Sequence, residues 1–362
     1  MQADSRVPVL DLLRLVAVLG VVLFHYGFRG PNGIDAAYTA LPELASIGRY
    51  GFLGVPVFFV ISGFVIAYSA EGRTATGFAI ARFARIYPTF VFCMTLTFAA
   101  LLFFGPPHFQ TSAAQWVANL TIAAPGHTYM DSAYWSLVVE VIFYAWVTVF
   151  IGLGLFQRSS DLIVALWLGV SLLNELTYDF PWIGKLLLAD YSGFFATGIL
   201  IYQLHKGRRD LWLQGLLAAS VATAVFQAVH NLRWLRAQTG DMFDEFMVAA
   251  IFLGSVLVIL LATRIRSLPI RPAVVIAIGG TTYPFYLLHQ QFGYVIFQKV
   301  GPAAEPFVLV VAIVGLVFAM SWATWRFVER PAQRFTKQAL TGFAAGISVR
   351  AASRSRELPS NL

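Results

Sequence analysis

Residues 12–28 read LLRLVAVLGVVLFHYGF, a run apolar enough for lipid except at Arg14 and His25. A bilayer core takes about 20 helical residues, so this stretch and its flanks are long enough to cross one. An ionisable side chain is expensive there, and such groups face a bundle interior and mark function. Arg14 and His25 are eleven residues apart. On a helix that leaves them about 20° apart around the axis and about 16 Å along it. They share one face, and Asp11, three residues before Arg14, is placed to pair with it. An arginine alone at that depth reads equally well as snorkelling to the interface. A lone histidine is more often a satisfied packing group. Both on one stripe point to a polar passage.

Nine further runs of this kind follow. The ten expected spans lie at about 12–28, 51–70, 87–105, 134–156, 161–178, 183–204, 211–230, 243–263, 273–298 and 304–326. The whole chain of 362 residues is 58% hydrophobic and 12% charged. A soluble domain is about 45–50% apolar and about 25% charged, so an ordinary soluble enzyme, a disordered chain and a basic nucleic-acid domain are excluded. Strands of a membrane barrel would alternate apolar and polar residues, whereas these runs are apolar throughout. The expectation is an all-α, polytopic integral membrane protein of about ten transmembrane helices. The lone Cys93, in FVFCMTLTF, excludes a disulfide framework and reads as an inert buried thiol.

The net charge of +7 resolves into an orientation signal. Alternate connections hold Arg6; Arg73, Arg82 and Arg85; Arg158; Lys206, Arg208 and Arg209; Arg264, Arg266 and Arg271; and the basic residues from Arg326 onward, eighteen of the 25 Lys and Arg. The other set holds only Arg29, Arg49, Lys185, Arg233, Arg236 and Lys299. Ten spans with both termini cytoplasmic satisfy the positive-inside rule at every loop. Residues 1–336 then form the transmembrane domain, and 337–362 read as a short basic cytoplasmic tail with the composition of disordered chain.

Other polar residues fall where lipid is expected. The fourth span supplies Trp135, Ser136 and Glu140 in YWSLVVEVIFY, with Ser136 and Glu140 four apart on one face. In the expected topology Glu140 reaches the outer half, as His25 does, and a carboxylate beside an imidazole would make it a better base. A structural interhelical hydrogen bond is the plainer alternative. The ninth span carries Tyr283, Tyr286, His289 and Gln290, with Pro284 expected to break the helix. Arg82 and Arg85, three apart before the third span, suit phosphate binding, although topology alone also places arginine there. His108, His127, His205 and His230 lack metal-ligand spacing, so no metal site is expected. No Walker loop, GxGxxG, GxSxG or HExxH motif appears.

In chain order LDLLRLVAVLGVVLFHY, GVPVFFVISGFVIAYS, FAIARFARIYP, YWSLVVEVIFY, YPFYLLHQ and FVERPAQRF resemble the membrane-bound acyltransferase-3 family, over about residues 6–335. The resemblance implies a ten-helix core that moves acyl groups, usually acetyl, from cytoplasmic acyl-CoA to sugar hydroxyls of envelope or secreted glycans. By motif position it makes His25 and Glu140 the catalytic pair and Arg14, Arg82 and Arg85 the acyl-CoA-binding residues. Asp11, Trp135, Ser136, Tyr286 and His289 are the expected substrate or support residues. The family's WSLxxEEQFY is here a single carboxylate followed by Val141 and Ile142, which leaves the partner of His25 open. Some relatives carry a fused periplasmic hydrolase-like domain; here a periplasmic partner protein would have to supply that activity.

The expected enzyme is therefore an acyl-CoA-dependent O-acyltransferase of a bacterial inner membrane, with acyl-CoA as co-substrate and no bound cofactor. Its expected partners are a carbohydrate acceptor and the bilayer, not nucleic acid. A proton-coupled transporter or flippase using His25, Glu140 and His289 as a relay is the alternative, weakened by the lack of a paired repeat of interrupted helices. The acceptor glycan and the acyl length are not written in the sequence.

Overall fold

The computed structural model describes residues 7–30, 42–106, 110–265, 267–300 and 305–357. Arg6, His108 and Arg266 lie outside them. Among the described residues the chain is helical throughout, with no strand.

The helices are α1 (Pro8–Leu23), α2 (Gly54–Ala70), α3 (Ala75–Phe104), α4 (Trp135–Gly152), α5 (Ser160–Leu173) and α6 (Ser192–His205). They continue as α7 (Leu211–His230), α8 (Glu245–Ala262), α9 (Pro272–Leu288), α10 (Gln291–Val300), α11 (Pro306–Thr324) and α12 (Arg330–Glu357). Short polar side chains start several of them by accepting a free N–H of the first turn. Thr74 accepts from Gly77, Asp210 from Leu213, and Asp244 from Met247.

Counted with their flanking turns, eight helical segments are long and apolar enough to cross a membrane. The two that fall short correspond to the sixth and ninth expected spans. The sixth is divided, because Leu188 takes a left-handed conformation (φ 53°) and a turn at Ala189–Tyr191 precedes the 14 residues of α6. The ninth is divided between α9 and α10, and not at Pro284 as the sequence suggested. The helix runs through Pro284 and stops at Leu288. Proline removes one donor and crowds one turn; a helix packed on several sides can absorb that. The break falls at His289 and Gln290, where side chains take over the backbone groups.

Two further differences concern helix ends. Arg82 and Arg85 sit inside α3, which begins at Ala75 and runs 30 residues, about 45 Å. The segment read as a tail without structure continues as helix, α12 reaching Glu357.

The buried apolar residues form two clusters. One is built on α2, α4, α5, α6, α7 and α8, with Phe59, Phe64, Phe143, Phe195 and Phe252 at its centre. The other joins α3, α9, α10 and α11 through Phe90, Met94, Phe285, Tyr294 and Val317. Helices α1 and α4 contribute to both. Lipid tails are as apolar as leucine, so close packing does the work of association. At the α2–α6 crossing, a Cβ on Gly63 or Gly198 would collide with the facing backbone. Cys93 is a buried free thiol in the second cluster.

Candidate functional site

Between the two clusters lies a cavity of about 720 Å³, lined from α1, α2, α3, α4, α6 and α9. Its lining holds five cationic side chains, Arg14, Arg73, Arg82, Arg85 and Lys206, against three acidic ones, Asp11, Glu71 and Glu140. Three of the sequence-selected arginines therefore converge on one space. Arg14 pairs with Asp11 at 3.4 Å, as their three-residue spacing predicted. Lys206 pairs with Glu71 at 3.0 Å, both well exposed.

Arg85 reaches Glu329 at 3.3 Å. Glu329 was not picked out from the sequence, although it stands in FVERPAQRF beside the basic end of the last span. It is 2% exposed, in the π-helical turn that joins α11 to α12. Arg82 rests between two rings, its guanidinium carbon 5.7 Å from the centre of Phe78 and 5.9 Å from that of Tyr144. Its buried Nε has no hydrogen-bond partner among the described residues. A guanidinium held by aromatic faces, with a donor left over, suits an incoming phosphate.

Glu140 corrects an expectation. It does not face His25. Its Oε1 accepts from Ser62 Oγ at 2.9 Å and from the Tyr144 hydroxyl at 2.5 Å, on the wall of the arginine-lined cavity. Helical spacing gives the face Glu140 shares with Ser136 but not which neighbour that face meets. Ser62 and Tyr144, its actual partners, were missed because a hydroxyl within an apolar run carries no pattern. Trp135, expected as a substrate or support residue, is found in a packing position. It lies outside the cavity lining, its ring 5.6 Å from Tyr191 and 6.3 Å from Phe59, so it packs an aromatic group.

Ser136 and Tyr286 also line the cavity, and their hydroxyls meet at 2.7 Å. The Tyr286 hydroxyl also donates to the Ala133 carbonyl at 3.1 Å. Beyond it lie the two histidines. The ring of His289 is 5.4 Å from that of Tyr286 and 5.1 Å from that of His25. His289 Nδ1 lies 2.7 Å from the Tyr286 carbonyl oxygen. A carbonyl only accepts, so that nitrogen carries the proton and Nε2 holds the lone pair. His289 Nε2 is buried with no partner among the described residues.

His25 stands in a π-helical turn, Phe24–Arg29, that continues α1. Such turns re-aim side chains and occur often at functional sites. Its Nδ1 faces the hydroxyl of Tyr294 on α10 at 3.1 Å. The helix break beside it is heavily tied. The Tyr26 hydroxyl donates to the His289 carbonyl, and that of Tyr134 to the Leu287 carbonyl at 3.3 Å. Asp131, fully buried outside the spans, accepts backbone N–H groups from Ala133 and Gln291, each at 2.8 Å. Burial nevertheless raises its carboxyl to about 7.

A multi-pass helical membrane protein with an arginine-lined cavity one tyrosine away from a histidine pair is thus defined. Residues 7–326 match the acyltransferase-3 family, described as an acyltransferase domain. The chain belongs to that family. It is 35% identical over 101 residues to the acyltransferase MdmB of Streptomyces mycarofaciens, covering 28% of this chain and 25% of that protein. It is 24% identical over 192 residues to the peptidoglycan O-acetyltransferase OatA of Listeria monocytogenes, covering 47% of this chain and 28% of that one. The chain spans about a quarter of the length of these relatives. No solved structure matches it.

Proposed function

We propose that the protein transfers an acyl group, acetyl by family habit, from cytoplasmic acyl-CoA across a bacterial inner membrane to a sugar hydroxyl of an envelope or secreted glycan. The observation that carries this reading is the arginine-lined cavity whose lining Tyr286 touches the ring of His289, which in turn touches that of His25. The bias of Lys and Arg between alternate loops supports a cytoplasmic basic mouth. Anionic CoA would dock there against Arg14, Arg82 and Arg85, with Glu140 and Asp11 limiting their mutual repulsion. The name of one relative, a peptidoglycan O-acetyltransferase, supports a glycan acceptor reached from the outer face.

In the reaction, the acceptor hydroxyl oxygen attacks the thioester carbonyl carbon. A C–O bond forms and the C–S bond breaks. The hydroxyl proton passes to neutral His25 and from there to the departing CoA sulfur. For the thioester to meet His25, the Tyr286–Ser136 contact must open. Direct transfer is the simplest route. The reading includes a periplasmic partner protein on the acceptor side.

The test is acyl transfer by purified protein in liposomes, supplied with labelled acetyl-CoA and glycan acceptors. Transfer that disappears in His25→Ala at unchanged protein level supports the reading; full activity in that variant sinks the assignment of His25. Proton or substrate flux without acyl transfer would instead identify a transporter or flippase.

A further inference from the structure

The break between α9 and α10 has a consequence for His25. Asp131 uses both carboxylate oxygens on backbone donors. Oδ1 accepts from Ala133 N in the short turn leading into α4, and Oδ2 from Gln291 N, the first residue of α10. One buried side chain therefore caps two helix starts. Gln290 adds a tie between the same elements, its Nε2 donating to Ser132 Oγ at 2.5 Å. Tyr294 lies in the first turn of α10, its N–H bonded to the Gln290 carbonyl at 2.9 Å. The Tyr294 hydroxyl is 3.1 Å from His25 Nδ1 and 3.4 Å from the carbonyl oxygen of His25 itself.

A phenol has one hydrogen to donate. Directed at the His25 carbonyl, which can only accept, it leaves the phenol oxygen to accept from Nδ1–H. The neutral imidazole then keeps its lone pair on Nε2. This is the service a carboxylate performs for a catalytic histidine in many hydrolases, here supplied by an uncharged group that tolerates burial better than a carboxylate would.

We propose that Tyr294 is the positioning residue of His25, holding it in the Nδ1–H tautomer with Nε2 as base, and that Asp131 acts through Tyr294 by fixing the first turn of α10. The proposal rests on the acyl-transfer reading with His25 as the base. It assigns Asp131 and Tyr294, neither of which belongs to the arginine-lined cavity.

The experiment uses the full chain in lipid nanodiscs with acetyl-CoA and a glycan acceptor. Hydrogen-bond partners that orient a functional histidine are worth about 10–100-fold. Tyr294→Phe, which keeps the ring, should lower kcat by about that factor with both KM values within about twofold. Asp131→Ala should lower kcat similarly. The double variant should be no worse than the poorer single one, since both act on one contact. If Asp131→Ala does not accumulate, Asp131→Asn, which keeps one acceptor, takes its place. Wild-type kcat in Tyr294→Phe, or losses that multiply in the double variant, would overturn the proposal.

A second readout needs no turnover. With histidine labelled by nitrogen-15, the signal that vanishes in His25→Ala should report a protonated Nδ1 in the wild type and a tautomer mixture in Tyr294→Phe. An unchanged signal in Tyr294→Phe also overturns it. A wild type that transfers no acyl group refutes the acyl-transfer reading alone, and the labelled-histidine result then decides the positioning role.

Discussion

Arg85 of α3 and Glu329, at the junction of α11 with α12, meet at 3.3 Å across the bundle, with the carboxylate buried and the guanidinium a third exposed. The pair joins the last span to the wall of the cavity. It uses an arginine that would otherwise read as a topology anchor.

Removing Arg85 leaves the buried Glu329 carboxylate uncompensated; with the guanidinium a third exposed, the cost falls below the about 3–5 kcal/mol of a fully buried pair. Arg85→Ala should therefore lower the unfolding temperature in detergent markedly. Arg85→Met combined with Glu329→Leu should recover most of that loss. Both variants should still show a raised KM for acetyl-CoA. If the double variant restores that KM, Arg85 is only structural.

Glu140 is bound to Ser62 and Tyr144 among the arginines. Glu140→Gln should therefore act mainly on donor affinity, several-fold in KM, and should leave the His25 tautomer unchanged. A tautomer change in that variant would restore Glu140 as a partner of the imidazole.

Gly279 faces Asp11, and a Cβ there would stand 2.5 Å from the Asp11 carboxyl carbon. Gly279→Ala should push Asp11 away from Arg14 and raise the donor KM, while thermal unfolding shifts by only a few degrees. Gly198→Ala, which would meet backbone at the α2–α6 crossing, should instead lower stability sharply.

The Asp131 carboxyl is raised by burial from 3.8 to about 7. Between those values the folded protein holds a proton the unfolded chain has lost, so this group's contribution to stability falls as pH rises through that window. Activity should move the opposite way, since the ionised form accepts both backbone donors, and kcat should rise through about pH 7. The groups facing Asp131 from neighbouring elements are the phenols of Tyr26, Tyr134, Tyr286 and Tyr294. Phenols ordinarily titrate near 10, which leaves the histidines as the competing source of such a limb. A limb retained in Asp131→Asn would assign it to them.

Much of this molecule is local and was therefore legible. Apolar run length gave the helical segments, because lipid leaves backbone groups no partner outside a helix. The Asp11–Arg14 pair follows from a three-residue spacing on one helix. The convergence of Arg14, Arg82 and Arg85 was readable only as a shared end of the bundle. The break at His289 was misplaced to Pro284, since proline is a visible local signal. The partners that hold the real break, Tyr26, Tyr134 and Asp131, lie more than 150 residues away along the chain.

The sequence by itself determined that the chain lives in a membrane, about how many times it spans, and which few polar side chains lipid would not tolerate. Tertiary structure decided who meets whom: Glu140 with Ser62 and Tyr144, Arg85 with Glu329, and His25 with Tyr294 and His289. The reason is geometric. Helical periodicity fixes the face on which a residue lies, but the neighbour that face meets depends on how the helices rotate and cross once close-packed.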